Sequence, residues 1–197
     1  MKIYFVRHGE AHSNVDQNIP SSKDELTETG RKQAHLLALR FKEIPIDRII
    51  SSSIKRAYQT AQEIATTTGK PITEEATLRE RKGDFEILWE HRHLPTRELE
   101  SAMRKLSGNQ EWSIGVDEPF EEIKQRIRDA KAYIEKLEDE DIVVVTHSSF
   151  LKAFAGYLIL GEDMTEKACV AFIMGLDIRN TGVTVCKFNR GHTKPSF

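Results

Sequence analysis

Cysteine is nearly absent from the sequence: Cys169 and Cys186 each stand beside apolar residues, with no cysteine nearby. A disulfide framework or a zinc site needs closely spaced partners, so two buried, reduced thiols are expected instead. Excess charge of either sign is also missing, since 29 Lys+Arg stand against 31 Asp+Glu for a formal net charge of -2. That balance argues against nucleic acid and anionic membranes as partners, and it confines any affinity for anions to a local cluster. The opening apolar run Ile3–Val6 is far too short for a signal-peptide core or a membrane span. A soluble, cytoplasmic protein is expected. Repeats and low-complexity tracts are lacking as well, and 197 residues suit one domain, 1–197, that buries roughly 70% of its unfolded surface.

What is present alternates between two periods. Lys2–Val6 reads as a buried strand that ends at Arg7-His8-Gly9, and the polar stretch Glu10–Glu25 reads as a loop. Thr27 with Gly30 opens a helix whose apolar stripe is Ala34, Leu37, Phe41 and Ile44, stopped by Pro45. A short strand at Asp47–Ser51 follows, then a helix with Ile54, Ala57, Ala61, Ile64 and Ala65 on one face, closed by Gly69. A third strand is predicted at Ile72–Glu75. Phe120, Ile123, Ile127, Ala130, Ile134 and Leu137 give the strongest helical period, and Asp141–Thr146 is an apolar strand suited to the centre of a covered sheet. Ser148–Leu160 reads as a helix and Gly182–Phe188 as a last strand. This alternation predicts an α/β fold, a three-layer α/β/α sandwich with a mostly parallel central sheet. The irregular segment 81–115 is expected to be an inserted cap over one end of that sheet.

Ligands of such sheets sit beyond the carboxyl ends of the strands, where His8 and His147 both fall. Displacement at phosphorus needs a nucleophile without its own proton, and neutral imidazole, with a pKa of about 6.5, meets that condition. Arg7 beside His8 offers paired donors for phosphate oxygens, and Gly9 permits a close backbone approach or a sharp turn. A solvated arginine and a hydrogen-bonded histidine at a plain strand-to-loop junction would carry the same letters. Arg56 lies in the first turn of its helix, off the apolar stripe, where a cation opposes the helix dipole unless an anion is nearby. A solvated arginine would again fit. His147 precedes a helix whose amides could join it in an anion site, or it is a structural residue. In Leu78-Arg79-Glu80-Arg81, Glu80 could act first as acid for a leaving alkoxide and then as base for water, unless the run is an ordinary charge cluster. Asp84 and Glu86 are alternative carboxyls. His91 and His93 could share one face of an extended segment, but no carboxylate-histidine helix motif or cysteine pair supports a metal site.

Together these pieces resemble the histidine phosphatase (phosphoglycerate mutase-like) superfamily over nearly the whole chain. The resemblance is carried by Arg7-His8-Gly9-Glu10 with Asn14, Leu26-Thr27-Glu28-Thr29-Gly30, Ser53 through Ala61, Leu78-Arg79-Glu80, His147, and Asn180-Thr181-Gly182-Val183-Thr184. It implies a metal-independent phosphomonoesterase that needs no cofactor and acts on a small phosphorylated metabolite through a phosphohistidine. His8 would be the nucleophile, with Arg7, Arg56 and His147 as the phosphate pocket. Glu80 would be acid and then base, and Asn14 and Ser148 further substrate-binding residues.

Departures from the family pattern bear on specificity. Ala11 stands where Thr is usual, and Ser148-Ser149 where glycines are common. Asp117-Glu118-Pro119 replaces Gly-Glu-Ser, and Phe85-Glu86-Ile87 replaces Trp-Glu-Gly. Ser148 argues against the acid phosphatase and phytase branch, which carries Asp there. Cofactor-dependent phosphoglycerate mutases look similar around Glu80-Arg81, but residues 81–113 hold equal numbers of cations and anions and no surplus for a bisphosphorylated cofactor. A mutase is therefore the rival enzyme, and a phosphate-binding scaffold without turnover the rival of another kind.

Overall fold

Strands and helices follow in the order β1 (Lys2–Arg7), α1 (His12–Val15), α2 (Glu28–Lys42), β2 (Arg48–Ser51), α3 (Lys55–Thr68), β3 (Ile72–Glu74), α4 (Phe120–Glu135), β4 (Asp141–Thr146), α5 (Ser148–Leu160), α6 (Glu166–Gly175) and β5 (Val183–Lys187). The computed structural model describes residues 1–15, 22–81 and 118–188. Apart from Arg81, the predicted cap at 81–115, with His91 and His93, lies outside the described residues.

The five strands form one sheet in the order β3-β2-β4-β1-β5. The β1–β4, β2–β4 and β2–β3 ladders are parallel, and the β1–β5 ladder is antiparallel. Both faces are covered, so side chains alternate between two apolar layers. Ile3, Phe5, Ile50, Ile142 and Val144 pack with residues of α4, α5 and α6. Tyr4, Val6, Ile49, Val143 and Val145 pack with Leu37, Ala38 and Phe41 of α2 and Ala57, Ala61 and Ile64 of α3. This is the three-layer sandwich that the alternation predicts. Burying each large aliphatic or aromatic side chain contributes about 1.5–3 kcal/mol, so the paired layers hold the strand ends in fixed positions.

Helix ends follow the local chemistry. Thr27 caps α2, its Oγ1 accepting from the Gly30 amide at 2.9 Å and donating to Glu10 Oε1 at 2.6 Å. α2 ends at Lys42, ahead of the expected stop at Pro45. Gly69, at φ 70, closes α3 in the left-handed conformation that glycine adopts without penalty. Two short helices, α1 and α6, were not expected from the hydrophobic period. Both cysteines are free thiols, Cys169 buried and Cys186 only half-buried, and burial pushes each up to about 11. They are accordingly protonated near neutral pH.

The loop after β1 rests backbone-to-backbone on the start of α2. A Cβ on Gly30 would lie 1.9 Å from the Glu10 carbonyl oxygen, and one on Gly9 would lie 2.6 Å from the Gly30 carbonyl oxygen. Close approach, not a special φ, is what these two glycines provide.

Candidate active site

Strand register brings the two histidines together. Arg7 pairs with Thr146 across β1 and β4, so His8 and His147, each the next residue, emerge side by side with ring centroids 5.1 Å apart. Ser51 pairs with Val145, which sets Ser52 on the other side of His147. The His8 amide continues the ladder to the Thr146 carbonyl at 3.0 Å.

His8 is 3% exposed, and the two ring nitrogens have different partners. Nδ1 lies 2.6 Å from the Gly9 carbonyl oxygen, which can only accept, so Nδ1 carries the proton and Nε2 the lone pair. The Nε–H of Arg56 donates to that Nε2 at 3.0 Å. Burial is the largest influence on His8, and the charges of Arg56 and Arg7 add to it, holding its pKa well below the usual imidazole value. The ring is thus neutral around pH 7, with its free electron pair aimed where Arg56 stands.

Arg56, on the first turn of α3, is 4% exposed and so is not the solvated arginine that the sequence left open. Its guanidinium NH1 lies 3.7 Å from Asp24 Oδ2, and Ser13 donates to the same carboxylate through its amide, at 3.3 Å, and its hydroxyl. Thr60 ties this helix to the loop, donating from Oγ1 to the Arg56 carbonyl at 2.9 Å and accepting from the Gly9 amide at 3.1 Å. Arg7 donates from NH1 to the Ile178 carbonyl at 2.7 Å, while its buried Nε finds no partner among the described residues. Burial lowers the pKa of both guanidiniums, and Glu80 is a nearby charge that opposes the shift in each. Both remain cations.

His147 is fully buried. Its Nε2 is 2.8 Å from Ser52 Oγ, and its Nδ1 is without a partner among the described residues. Burial, then the nearness of the His8 ring, which would have to share the site with a second proton, and the charges of Arg56, Arg126 and Arg7 keep it well below the ordinary imidazole range. Two histidines neutral in the fold but titrating near 6.5 when exposed make the unfolded chain take up protons first on acidification. The stability they leave intact above about pH 6.5 should therefore be lost below it, by about 1.4 kcal/mol per pH unit for each excluded proton. Thermal melts between pH 7 and pH 5 should show that fall, and His147→Gln should make it shallower. A fall of equal slope in the variant would mean that His147 titrates normally.

Glu80 sits just past the 3-10 turn Ala76–Leu78, and its carboxylate binds the start of α5. Oε1 accepts from the amides of Phe150 and Arg81, both at 2.9 Å, and Oε2 accepts from the Ser149 amide at 3.2 Å. The helix N-terminus expected to hold an exogenous anion is thus occupied at those two amides by the chain's own carboxylate. Oε1 has both lone pairs engaged, so Oε2 is the oxygen with one to spare. Ser148 is the first residue of α5 and half-buried. Asn14 is exposed, its Oδ1 accepting from the Ala11 amide at 3.0 Å and from Asn180 Nδ2 at 3.3 Å.

Asp24, Ser13 and Ser52 of this site carry no signal of their own in the resemblance, whereas Thr60 and Asn180 fall within its shared motifs. Asn180 Nδ2 donates to the His8 carbonyl at 3.0 Å, and the Thr181 amide donates to the Arg7 carbonyl at 3.0 Å. Thr181 sits at φ 56, which is unusual for a β-branched residue and costs on the order of 1–3 kcal/mol. That strain is placed where it fixes the backbone beneath His8. The Asx-Thr-Gly pattern was the available signal. Among the described residues no group of three or more His, Cys, Asp or Glu side chains is arranged to hold a metal ion.

The carboxyl edge of the sheet thus brings together a neutral imidazole, buried arginines and a second imidazole. The chain belongs to the histidine phosphatase superfamily (branch 1), whose family model matches residues 3–196. Among its relatives is "Probable phosphoglycerate mutase GpmB" of Cronobacter sakazakii, 37% identical over 134 residues, which are 66% of this chain and 61% of that protein. The protein of the same name from Escherichia coli K12 is 36% identical over the same shares. The chain thus spans about three fifths of the length of these curated relatives. Similar solved folds include the alpha-ribazole phosphatase of Shigella flexneri, with a TM-score of 0.75 and 23% identity over 100% of this chain and 94% of that one. Another is a phosphoserine phosphatase of Entamoeba histolytica in complex with phosphoserine, with a TM-score of 0.74 and 23% identity over 99% of this chain and 93% of that one.

Proposed function

We propose that the chain is a phosphomonoester hydrolase that acts on a small phosphorylated metabolite through a phosphohistidine formed on His8. The observation that carries this reading is the fixed tautomer of His8: a buried, neutral ring with its Nε2 lone pair beside Arg56. A phosphate-binding scaffold would need the arginines but not an imidazole held in its nucleophilic form, nor a carboxyl such as Glu80 whose charge acts on both arginines.

In the first step, Nε2 attacks phosphorus as the bond from phosphorus to the ester oxygen breaks, and protonated Glu80 gives its proton to that oxygen. In the second, Glu80 takes a proton from water as the water oxygen attacks phosphorus. The Nε2–P bond breaks, and inorganic phosphate leaves with the ring restored. Arg7, Arg56 and His147 bind the equatorial oxygens, the two arginines offsetting their charge throughout, so Arg56 must leave the Nε2 lone pair when phosphate enters. Asn14 and Ser148 contact the substrate. Segment 81–115, which the sequence marks as an insertion, selects the ester, and the reaction takes place in the cytoplasm. No helix among the described residues is long and apolar enough to cross a membrane.

Kinship with proteins named phosphoglycerate mutase favours one rival, in which the phosphoryl group returns to a second hydroxyl and not to water. The fate of the phosphoryl group separates the two. We expect p-nitrophenyl phosphate to release free phosphate in a steady turnover that excess chelator leaves unchanged. Interconversion of phosphoglycerates with no phosphate released would establish the mutase, and activity lost to chelator and restored by a divalent ion would establish metal dependence.

A further inference from the structure

We infer that Arg126, held by Glu118, is a positioning residue for Glu80: it fixes the ribbon that carries the carboxyl and, from below, the helix start that receives it. This rests on the reading of Glu80 as the proton donor.

Arg126 projects from the middle of α4 and is 6% exposed, far from any role in helix propensity or solvation. Its Nε and NH2 donate to the two carboxylate oxygens of Glu118 at 2.6 and 2.7 Å, a bidentate pair buried on both sides. The remaining nitrogen, NH1, donates to the carbonyls of Thr77 at 2.8 Å and Arg79 at 2.7 Å. The carbonyl between them, Leu78, accepts from Thr146 Oγ1 at 2.6 Å. Three consecutive carbonyls ahead of Glu80 are therefore bonded, two of them by one guanidinium. The same guanidinium carbon lies 4.7 Å from the ring centroid of Phe150, within cation–π range. Phe150 is the residue whose amide donates to Glu80 Oε1.

Arg126 accordingly touches both halves of the Glu80 mount: the ribbon that ends at its backbone and the helix turn that grips its carboxylate. A buried ion pair is weak evidence for stability by itself, because desolvation offsets much of the attraction. Its geometry here supplies something a pair of apolar residues would not, namely donors aimed at two main-chain carbonyls. Proton transfer requires the carboxyl within hydrogen-bonding reach of the leaving oxygen, and a misplacement of about 1 Å can cost about 10²-fold. Lysine in place of Arg126 keeps the charge but has no planar fork with which to hold Glu118 and both carbonyls together.

The test compares Arg126→Lys, Glu118→Gln, Glu80→Gln and the Arg126→Lys/Glu80→Gln double variant on glycerol phosphate, a poor leaving group, and p-nitrophenyl phosphate, a good one. Folding is checked by circular dichroism and thermal melts. Arg126→Lys should lower kcat/KM, which reports transfer of the phosphoryl group to His8, by about 10²-fold on glycerol phosphate and by at most a few-fold on the nitrophenyl ester. Glu118→Gln, which is isosteric, should move the same ratio in the same direction by less. The double variant should be no more impaired on glycerol phosphate than Glu80→Gln alone. A purely structural role would lower kcat/KM for both esters alike, and such a parallel loss in kcat/KM, or full additivity in the double variant, overturns the proposal. Should the lysine variant fail to fold, Glu118→Gln decides by the same ratio. If Glu80→Gln itself shows no preference between the esters, the acid has been misassigned, a failure distinct from that of the Arg126 proposal.

Discussion

Replacing His8 with alanine is expected to abolish turnover while leaving the fold in place. Deleting a covalent nucleophile from a hydrolase costs on the order of 10⁶ in kcat, and among the described residues nothing else at this sheet edge offers an equivalent. His147 is buried with Nε2 against Ser52, and neither cysteine is a thiolate at neutral pH. The fold should survive because the contact of His8 with the sheet is its main-chain bond to Thr146, which alanine keeps. What is lost is the ring's pair of hydrogen bonds, to Gly9 and from Arg56, a change of about 1–2 kcal/mol. Circular dichroism and a thermal melt should therefore resemble wild type, and phosphate should still bind through Arg7, Arg56 and His147. Turnover of His8→Ala near the wild-type rate would remove the nucleophile from the scheme.

Glu80→Gln should produce the second-largest loss, and its size should depend on the leaving group. General acid catalysis contributes about 10²–10⁴-fold for an alkoxide that cannot depart unprotonated, and little for nitrophenolate. Glutamine can keep an oxygen as acceptor for the amides of Ser149 or Phe150, so the mount survives while the transferable proton does not. Attack by water should slow as well. With p-nitrophenyl phosphate the variant should give a burst of nitrophenol followed by a slow steady rate, because the first step runs and the second waits for a base. If both ester classes proceed at wild-type rates in Glu80→Gln, the acid lies elsewhere, and Asp84 and Glu86 are the carboxyls to substitute next.

Much of this architecture was legible in the sequence because its physics is periodic or local. Asp141–Thr146 and Ser148–Leu160 match β4 and α5 residue for residue, since a doubly covered strand is apolar throughout and a turn to polar residues marks its end. α6 was missed because Cys169-Val170-Ala171-Phe172-Ile173 shows no alternation between polar and apolar faces. Its signal lay in the cap, where Thr165 accepts from the Ala168 amide. α1 spans only His12–Val15, too short to set a period.

The site divides in the same way. His8, His147 and Arg56 stood out because polar residues at strand ends and a cation in a first helical turn need a reason. Asp24, Ser52 and Asn180 did not, because each acquires its role from a strand or loop distant in sequence, and Arg126 looks like any charged position on an amphipathic helix until its carbonyl partners are known. The α5 amides could meet a substrate anion as far as the sequence goes, and no local pattern reveals that Glu80, seventy residues before Phe150, takes two of them.

Covalent capture of phosphate on His8 is the direct test of the mechanism. Wild-type protein mixed with radiolabelled p-nitrophenyl phosphate carrying the label on phosphorus, quenched within milliseconds and digested, should give a single labelled peptide containing His8. That label should be stable in base and labile in acid, as a phosphoramidate is, and Glu80→Gln should accumulate more of it. Turnover without any such label in either protein, or label on a residue other than His8, would contradict the account.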